Sequence, residues 1–149
     1  MENSFKTPQL LLRFALGITF LTPVSDRLGI LGPMGERNIE WGNWNNFIDY
    51  TTTLMPFLDR PAVNIMGSIA TIAEIVIGIL LIVGYKTKYA AIGGCILTLI
   101  FILSMTVFKG IKAPINYAVF VTCTSSLFLS RMKSYEWSLD QFMTKSKND

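Results

Sequence analysis

The stretch from Tyr89 to Phe108 contains no Asp, Glu, Lys or Arg. A bare apolar run of about 20 residues is what an α-helix needs to cross a bilayer. A soluble bundle would have to bury such a helix on every side. Three further runs have comparable length, Pro8 to Ser25, Ala62 to Gly84 and Ala113 to Ser130, and the last is also free of charge. The chain of 149 residues is 51% hydrophobic and only 15% charged, against roughly 25% charged in ordinary soluble domains. Mean hydropathy is +0.45. The pattern predicts an all-α fold, a polytopic membrane four-helix bundle forming one domain over 1–149. A soluble helical bundle is the alternative, and it has no account of the bare third run.

The first run competes with a cleaved signal peptide. Arg13 interrupts its apolar stretch and no small-x-small cleavage site follows, so the run is expected to be retained. With four spans, both chain ends lie on one side. Lys6, Arg13, Lys86, Lys88, Arg131, Lys133, Lys145 and Lys147 fall on that side, and Arg27, Arg37, Arg60, Lys109 and Lys112 on the other. The excess of basic residues puts both termini in the cytoplasm, with a bacterial cytoplasmic (inner) membrane as the expected location. The net charge of +3 sits at span ends and carries no nucleic-acid footprint.

The connection from Asp26 to Pro61 then faces outward. Gly29-Ile-Leu-Gly-Pro-Met-Gly35 is turn chemistry. From Trp44 onward, apolar residues recur at Phe47, Ile48, Thr51, Leu54, Met55 and Leu58 with helical spacing. This predicts a short amphipathic interfacial helix over about 44–58, lying on the membrane or capping the bundle. Trp41 and Trp44 are either interface anchors or part of a lid over an outward-facing cavity. Beyond Ser130, Tyr135, Trp137, Leu139 and Phe142 are placed at the inner interface, and Thr144 to Asp149 reads as disordered.

Within the second run stands a carboxylate, Glu74. A charge at that depth is costly and faces a partner or a wet cavity. Gly67, Thr71, Glu74 and Gly78 share one helical face, whose small residues let a neighbouring helix approach. Glu74 lies roughly 13 Å and Arg13 roughly 8 Å from the same predicted span end, so Arg13 is the candidate for a structural ion pair with Glu74. The alternatives for Glu74 are a proton carrier in catalysis and a ligand contact. A second polar group gathers at the outer end: Asp26, Arg27, Trp41, Lys112, Asn116 and Tyr117. Asp26 beside Lys112, with Tyr117 donating a hydrogen bond, would orient a polar head attached to a lipid tail. Solvated span ends are the plainer reading. In the fourth run Thr122, Thr124, Ser125, Ser126 and Ser130 serve either helix packing or a polar seam. Cys95 and Cys123 are expected at one depth, about 10 Å from the inner ends of their spans, either as a redox pair or as two small core residues. The chain has no His, which removes the usual haem ligand and the commonest zinc ligand, and no metal site is expected.

These residues resemble the DoxX-like family of small four-helix membrane proteins. The resemblance is carried by Leu12-Arg-Phe-Ala-Leu-Gly17 with Ser25-Asp-Arg27, by Ala73-Glu-Ile-Val-Ile-Gly-Ile-Leu-Leu-Ile-Val-Gly84 followed by Tyr85-Lys-Thr-Lys-Tyr-Ala-Ala91, and by Lys112-Ala-Pro-Ile-Asn-Tyr117. It extends over roughly residues 8 to 130. Lys86 and Lys88 stand where many relatives carry Arg. The resemblance implies a link to thiosulfate:quinone oxidoreductase, in which a DoxD/DoxX-type subunit works in the membrane.

The leading expectation is therefore a redox-associated membrane subunit contacting a quinone or isoprenoid-like lipid. No cofactor ligand set is visible, so a bound quinone is the cofactor considered, and electrons would come from a partner subunit or a diffusible donor. A non-enzymatic scaffold or chaperone for another membrane protein is the alternative, and a small transporter the third reading. A homo-oligomer is compatible with the chain, although it contains no Gly-x-x-x-Gly.

Overall fold

The computed structural model describes residues 6–145. Among them are seven helices and no strand: α1 (Lys6–Arg27), α2 (Trp44–Thr52), α3 (Arg60–Val83), α4 (Thr87–Lys109), α5 (Lys112–Asn116), α6 (Val119–Ser130) and α7 (Leu139–Lys145). Two of these, α3 and α4, are long and apolar enough to cross a membrane. Their outward residues are apolar in turn after turn: Ile65, Ile69, Ile72, Val76 and Ile79 on α3, and Ile96, Leu99, Ile100, Leu103 and Val107 on α4 are all exposed. An apolar surface of this extent on both helices is one that lipid or packed partner helices cover.

α1 packs along α3, and α4 packs along α6, while the contact between α3 and α4 is less extensive. The α1–α3 register is set by two glycines. A Cβ added at Gly17 would come within 2.6 Å of the Ile82 side chain and 3.0 Å of the Gly78 carbonyl, and one added at Gly78 within 2.7 Å of Leu21. The two backbones therefore cross closely, as small residues permit between membrane helices. Leu16, Phe20, Ile77, Leu81, Ala90, Ala91 and Leu129 fill the core around that crossing.

Helix boundaries follow local chemistry. Asp59 caps α3 by accepting a bond from the Ala62 N–H at 3.1 Å, with Pro61 in the first turn, and α3 ends at Gly84, whose φ of 74° suits glycine. The next helix has no cap of its own, because Lys86 offers no side-chain acceptor. Asp140 of α7 supplies it: its two oxygens accept the Lys86 and Thr87 N–H groups at 2.7 and 2.8 Å. The carboxylate also complements the positive end of the α4 dipole. The segment after α6 is thus folded back against the bundle, and both ends of the described chain lie at the end of the bundle where α3 turns into α4.

Three expectations are corrected. The helix expected over 44–58 stops at Thr52; turns at Thr53, Leu54, Met55 and Leu58 follow, short of Asp59. Pro56 is consistent with this stop, since it cannot donate to an extended helix. The run 113–130 is not one helix: Ala118 has a φ of 53°, in the left-handed region, and separates α5 from α6. Third, Thr144 and Lys145 are helical rather than disordered, because α7 extends through them; residues 146–149 of that segment lie outside the described residues.

Candidate functional site

A cavity of about 340 Å³ lies between α1, α2, α3, α4 and the α5–α6 break, at the lower end of the size range of small-molecule sites. Its wall is largely apolar. Phe20 closes the bottom of the α1 side, Ala70 and Ala73 the α3 side, and Leu97, Phe101 and Met105 the α4 side. Ile69 and Ile100 line the cavity and are also exposed on the outer apolar surface, so it opens sideways between α3 and α4. This is where helix contact is looser.

The polar part of the wall centres on Glu74. Its partner is Arg27, not Arg13: Arg27 Nη1 stands 2.8 Å from Glu74 Oε2, with both side chains almost completely buried. The same Nη1 donates to Thr71 Oγ1 at 2.8 Å, and Nε donates to the Pro23 carbonyl at 3.0 Å. Glu74 Oε2 is in ionic contact with the guanidinium yet receives no well-aligned hydrogen bond. The guanidinium face lies 4.2 Å from the Phe47 ring centroid and 5.5 Å from that of Trp41, a cation–π arrangement that favours a desolvated charge. The reason for the change of partner is register. The Gly17–Gly78 crossing brings the last turn of α1 to the level of Thr71 and Glu74, halfway along α3, and carries Arg13 to the far end at Gly84. There Arg13 donates to the carbonyls of Trp137 at 2.8 Å and Glu136 at 3.3 Å. Gln9 donates to the same Glu136 carbonyl. Arg13 is thus a clamp for the returning tail.

Beyond Arg27, α1 stops, and α2 with the loop before it takes its place beside α3. Phe47, Ile48 and Val63 form a separate core there, with Phe47 and Ile48 seated over Gly67. The loop is held by Asp26, which is buried. Its carboxylate accepts the N–H groups of Glu40 at 2.9 Å, Trp41 at 3.3 Å and Gly42 at 2.8 Å. Asp26 therefore does not meet Lys112, as the sequence suggested, because both its oxygens are taken by backbone. Trp41 forms the roof of the cavity, edge-on to Phe47 and next to Tyr50. Its indole Nε1 is enclosed and has no hydrogen-bond partner among the described residues. Tyr117, which precedes the left-handed Ala118 and is itself partly exposed, donates to the Glu40 carboxylate and contributes to the cavity lining. Burial holds the Tyr50 phenol above its ordinary value.

Of the residues singled out from sequence, Arg27, Trp41, Glu74 and Tyr117 come together on one cavity wall. Asp26 stands behind it as the loop anchor. Lys112 and Asn116 are exposed and lie outside the cavity lining. Sequence reasoning missed Thr71, Tyr50 and Phe47 as members of the site. The signal for Thr71 was present, since it lies one turn before Glu74 on the same face.

The fold is thus a helical membrane assembly whose apolar exterior encloses a cavity with a buried ion pair in its wall. Residues 9–107 match the DoxX family, and the chain belongs to that family. No curated protein and no solved structure matches it.

Proposed function

We propose that this protein is an integral membrane subunit that binds a quinone or another isoprenoid-like lipid in the cavity. All four of α1, α3, α4 and α5–α6 cross the bilayer in this reading, with both termini in the cytoplasm of a bacterium. The observation that carries it is one apolar cavity wall that holds the Trp41 indole N–H, an enclosed donor with no partner among the described residues, together with Glu74, whose Oε2 is ion-paired with Arg27. An enclosed polar group without a partner is costly. A carbonyl oxygen on a ligand head accepts from the Trp41 N–H, a hydroxyl on the head can also donate to the Glu74 carboxylate, and the ligand's chain leaves through the opening between Ile69 and Ile100. A quinone meets the Trp41 N–H through its carbonyl and its quinol form meets Glu74 through a hydroxyl, the couple supplying redox chemistry when bound. The protein's own part is to orient the head with Trp41 and to exchange a proton at Glu74, whose carboxylate form is balanced by Arg27. Electrons come from a partner subunit.

The test is native mass spectrometry of gently extracted protein, followed by titration of the protein in lipid nanodiscs with decylubiquinone. Trp41→Phe removes the N–H and keeps the ring, and a lost hydrogen bond of about 1–1.5 kcal/mol should weaken binding roughly 5- to 10-fold. Absence of a stoichiometric lipid, together with equal quinone affinity in both proteins, overturns the reading. A scaffold for a partner protein is the second reading. It is favoured by the docked tail, where Trp137 ahead of α7 and Leu139, Phe142 and Met143 on α7 present exposed apolar side chains. A stoichiometric protein partner lost on changing Phe142→Ser, with no bound quinone, would support it.

A further inference from the structure

Cys95 of α4 and Cys123 of α6 stand with their sulfur atoms 3.7 Å apart, and the Cys123 sulfur lies 3.6 Å from the Cys95 carbonyl oxygen. Both are free thiols. They meet because α4 and α6 are held close by small residues: a Cβ added at Gly94 would stand 3.3 Å from Ser126 Oγ and 2.8 Å from the Phe20 ring. The separation is about 1.7 Å more than a covalent S–S bond. Two helices already in contact can close it by rotating the side chains between staggered positions. Neither cysteine lines the cavity, so the pair is separate from the site described above.

We propose that Cys95 and Cys123 are a redox-active dithiol that closes to an intramolecular disulfide between α4 and α6, with a hydroperoxide dissolved in the bilayer as oxidant. Access is asymmetric. Cys95 is partly exposed beside the outward-facing Ile92, Ile96 and Leu99, whereas Cys123 is 9% exposed. A lipophilic peroxide meets Cys95 first. The Cys95 sulfur attacks the peroxide oxygen, the O–O bond breaks, an alcohol leaves and Cys95 becomes a sulfenic acid. The Cys123 sulfur then attacks the Cys95 sulfur, the S–O bond breaks and water leaves. Two thiols and one hydroperoxide give one disulfide, one alcohol and one water. The two thiol protons end in those products. An apolar setting disfavours the thiolate, so the rate depends on how concentrated the oxidant becomes among the acyl chains. Cumene hydroperoxide therefore acts faster than hydrogen peroxide.

The experiment treats the full chain in lipid nanodiscs with cumene hydroperoxide, denatures it in N-ethylmaleimide and measures the intact mass. The expected product takes no maleimide, is lighter by about 2 Da than the unalkylated reduced chain apart from any methionine oxidation, and regains both thiols with dithiothreitol. In Cys123→Ser the resolving thiol is gone, and Cys95 is trapped by dimedone as sulfenic acid. The seven Met residues gauge the dose. Two maleimide groups on the wild-type chain at doses that oxidise methionine overturn the proposal, as does a disulfide that joins two chains instead of closing within one.

Discussion

Asp26 offers the sharpest test of how the cavity is roofed. Its carboxylate accepts three consecutive backbone N–H groups, those of Glu40, Trp41 and Gly42, two of them at 2.9 and 2.8 Å. Hydrogen bonds to a charged group contribute about 1.5–3 kcal/mol each. Two good ones give about 3–6 kcal/mol for the docked loop, and the freed amides at this partly exposed position recover some of that from water. About 3 kcal/mol remains, which is roughly 100-fold in the docking equilibrium. Asp26→Ala should therefore raise hydrogen–deuterium exchange at Glu40 to Gly42 by about two orders of magnitude, while the amides of α3 and α4 stay protected. Decylubiquinone affinity should fall with it, since Trp41 leaves the roof. If Asp26 instead met the ligand directly, affinity would fall while exchange at 40–42 stayed unchanged. Unchanged exchange in a folded Asp26→Ala protein refutes the anchoring argument.

Glu74→Gln keeps the side-chain shape but leaves Arg27 buried without its counter-charge, so it should lower stability by about 3 kcal/mol, read as a fall in thermal melting in detergent. Arg13→Gln removes the buried clamp on Glu136 and Trp137 and should expose the segment after Ser130 to limited proteolysis; an unchanged cleavage pattern would refute the clamp. Asp140→Asn weakens the cap on α4 by about 1 kcal/mol, and should raise amide exchange at Lys86 and Thr87 specifically. Gly78→Val drives side-chain atoms into Leu21 and the Gly17 carbonyl, so the α1–α3 crossing should open and the yield of folded protein collapse, whereas Gly93→Ala, where a Cβ meets only Ile77 at 3.6 Å, should be tolerated.

Much of the scaffold was legible because it follows from simple periodicity. The runs 62–84 and 89–108 became α3 and α4 with ends shifted by only a residue or two. The buried face Gly67, Thr71, Glu74 and Gly78 appeared as spaced. What could not be read was register. Depth measured from span ends placed Arg13 and Glu74 within reach, because it assumed that α1 and α3 run side by side over their full length. The interdigitation of Gly17, Gly78, Leu21 and Ile82 decides otherwise, and close packing of that kind has no signature in hydropathy. The break at Ala118 was equally hidden, since a left-handed alanine leaves no mark in composition. Asp140 as a cap for α4 was invisible for another reason: it lies 53 and 54 residues from the amides it binds.

Register also explains why a charged pair can lie in the wall of the cavity. α3 has 24 residues, about 36 Å of helix, and Arg27 ends α1 beside its middle. From there outward, α3 lacks α1 as a neighbour, and the space is filled by α2 and the Asp26-anchored loop rather than by another straight helix. A short helix and a loop cannot fill a helix-shaped gap completely, and the remainder is the cavity. The terminal charge of α1 thus falls at its wall, where Phe47 and Trp41 shield it and Glu74 neutralises it. Moving the Gly17–Gly78 crossing by one turn would shift Arg27 by about 5.4 Å along α3 and separate it from Glu74. The ion pair and the cavity are therefore consequences of one packing choice, and a variant that slides α1 should lose both together.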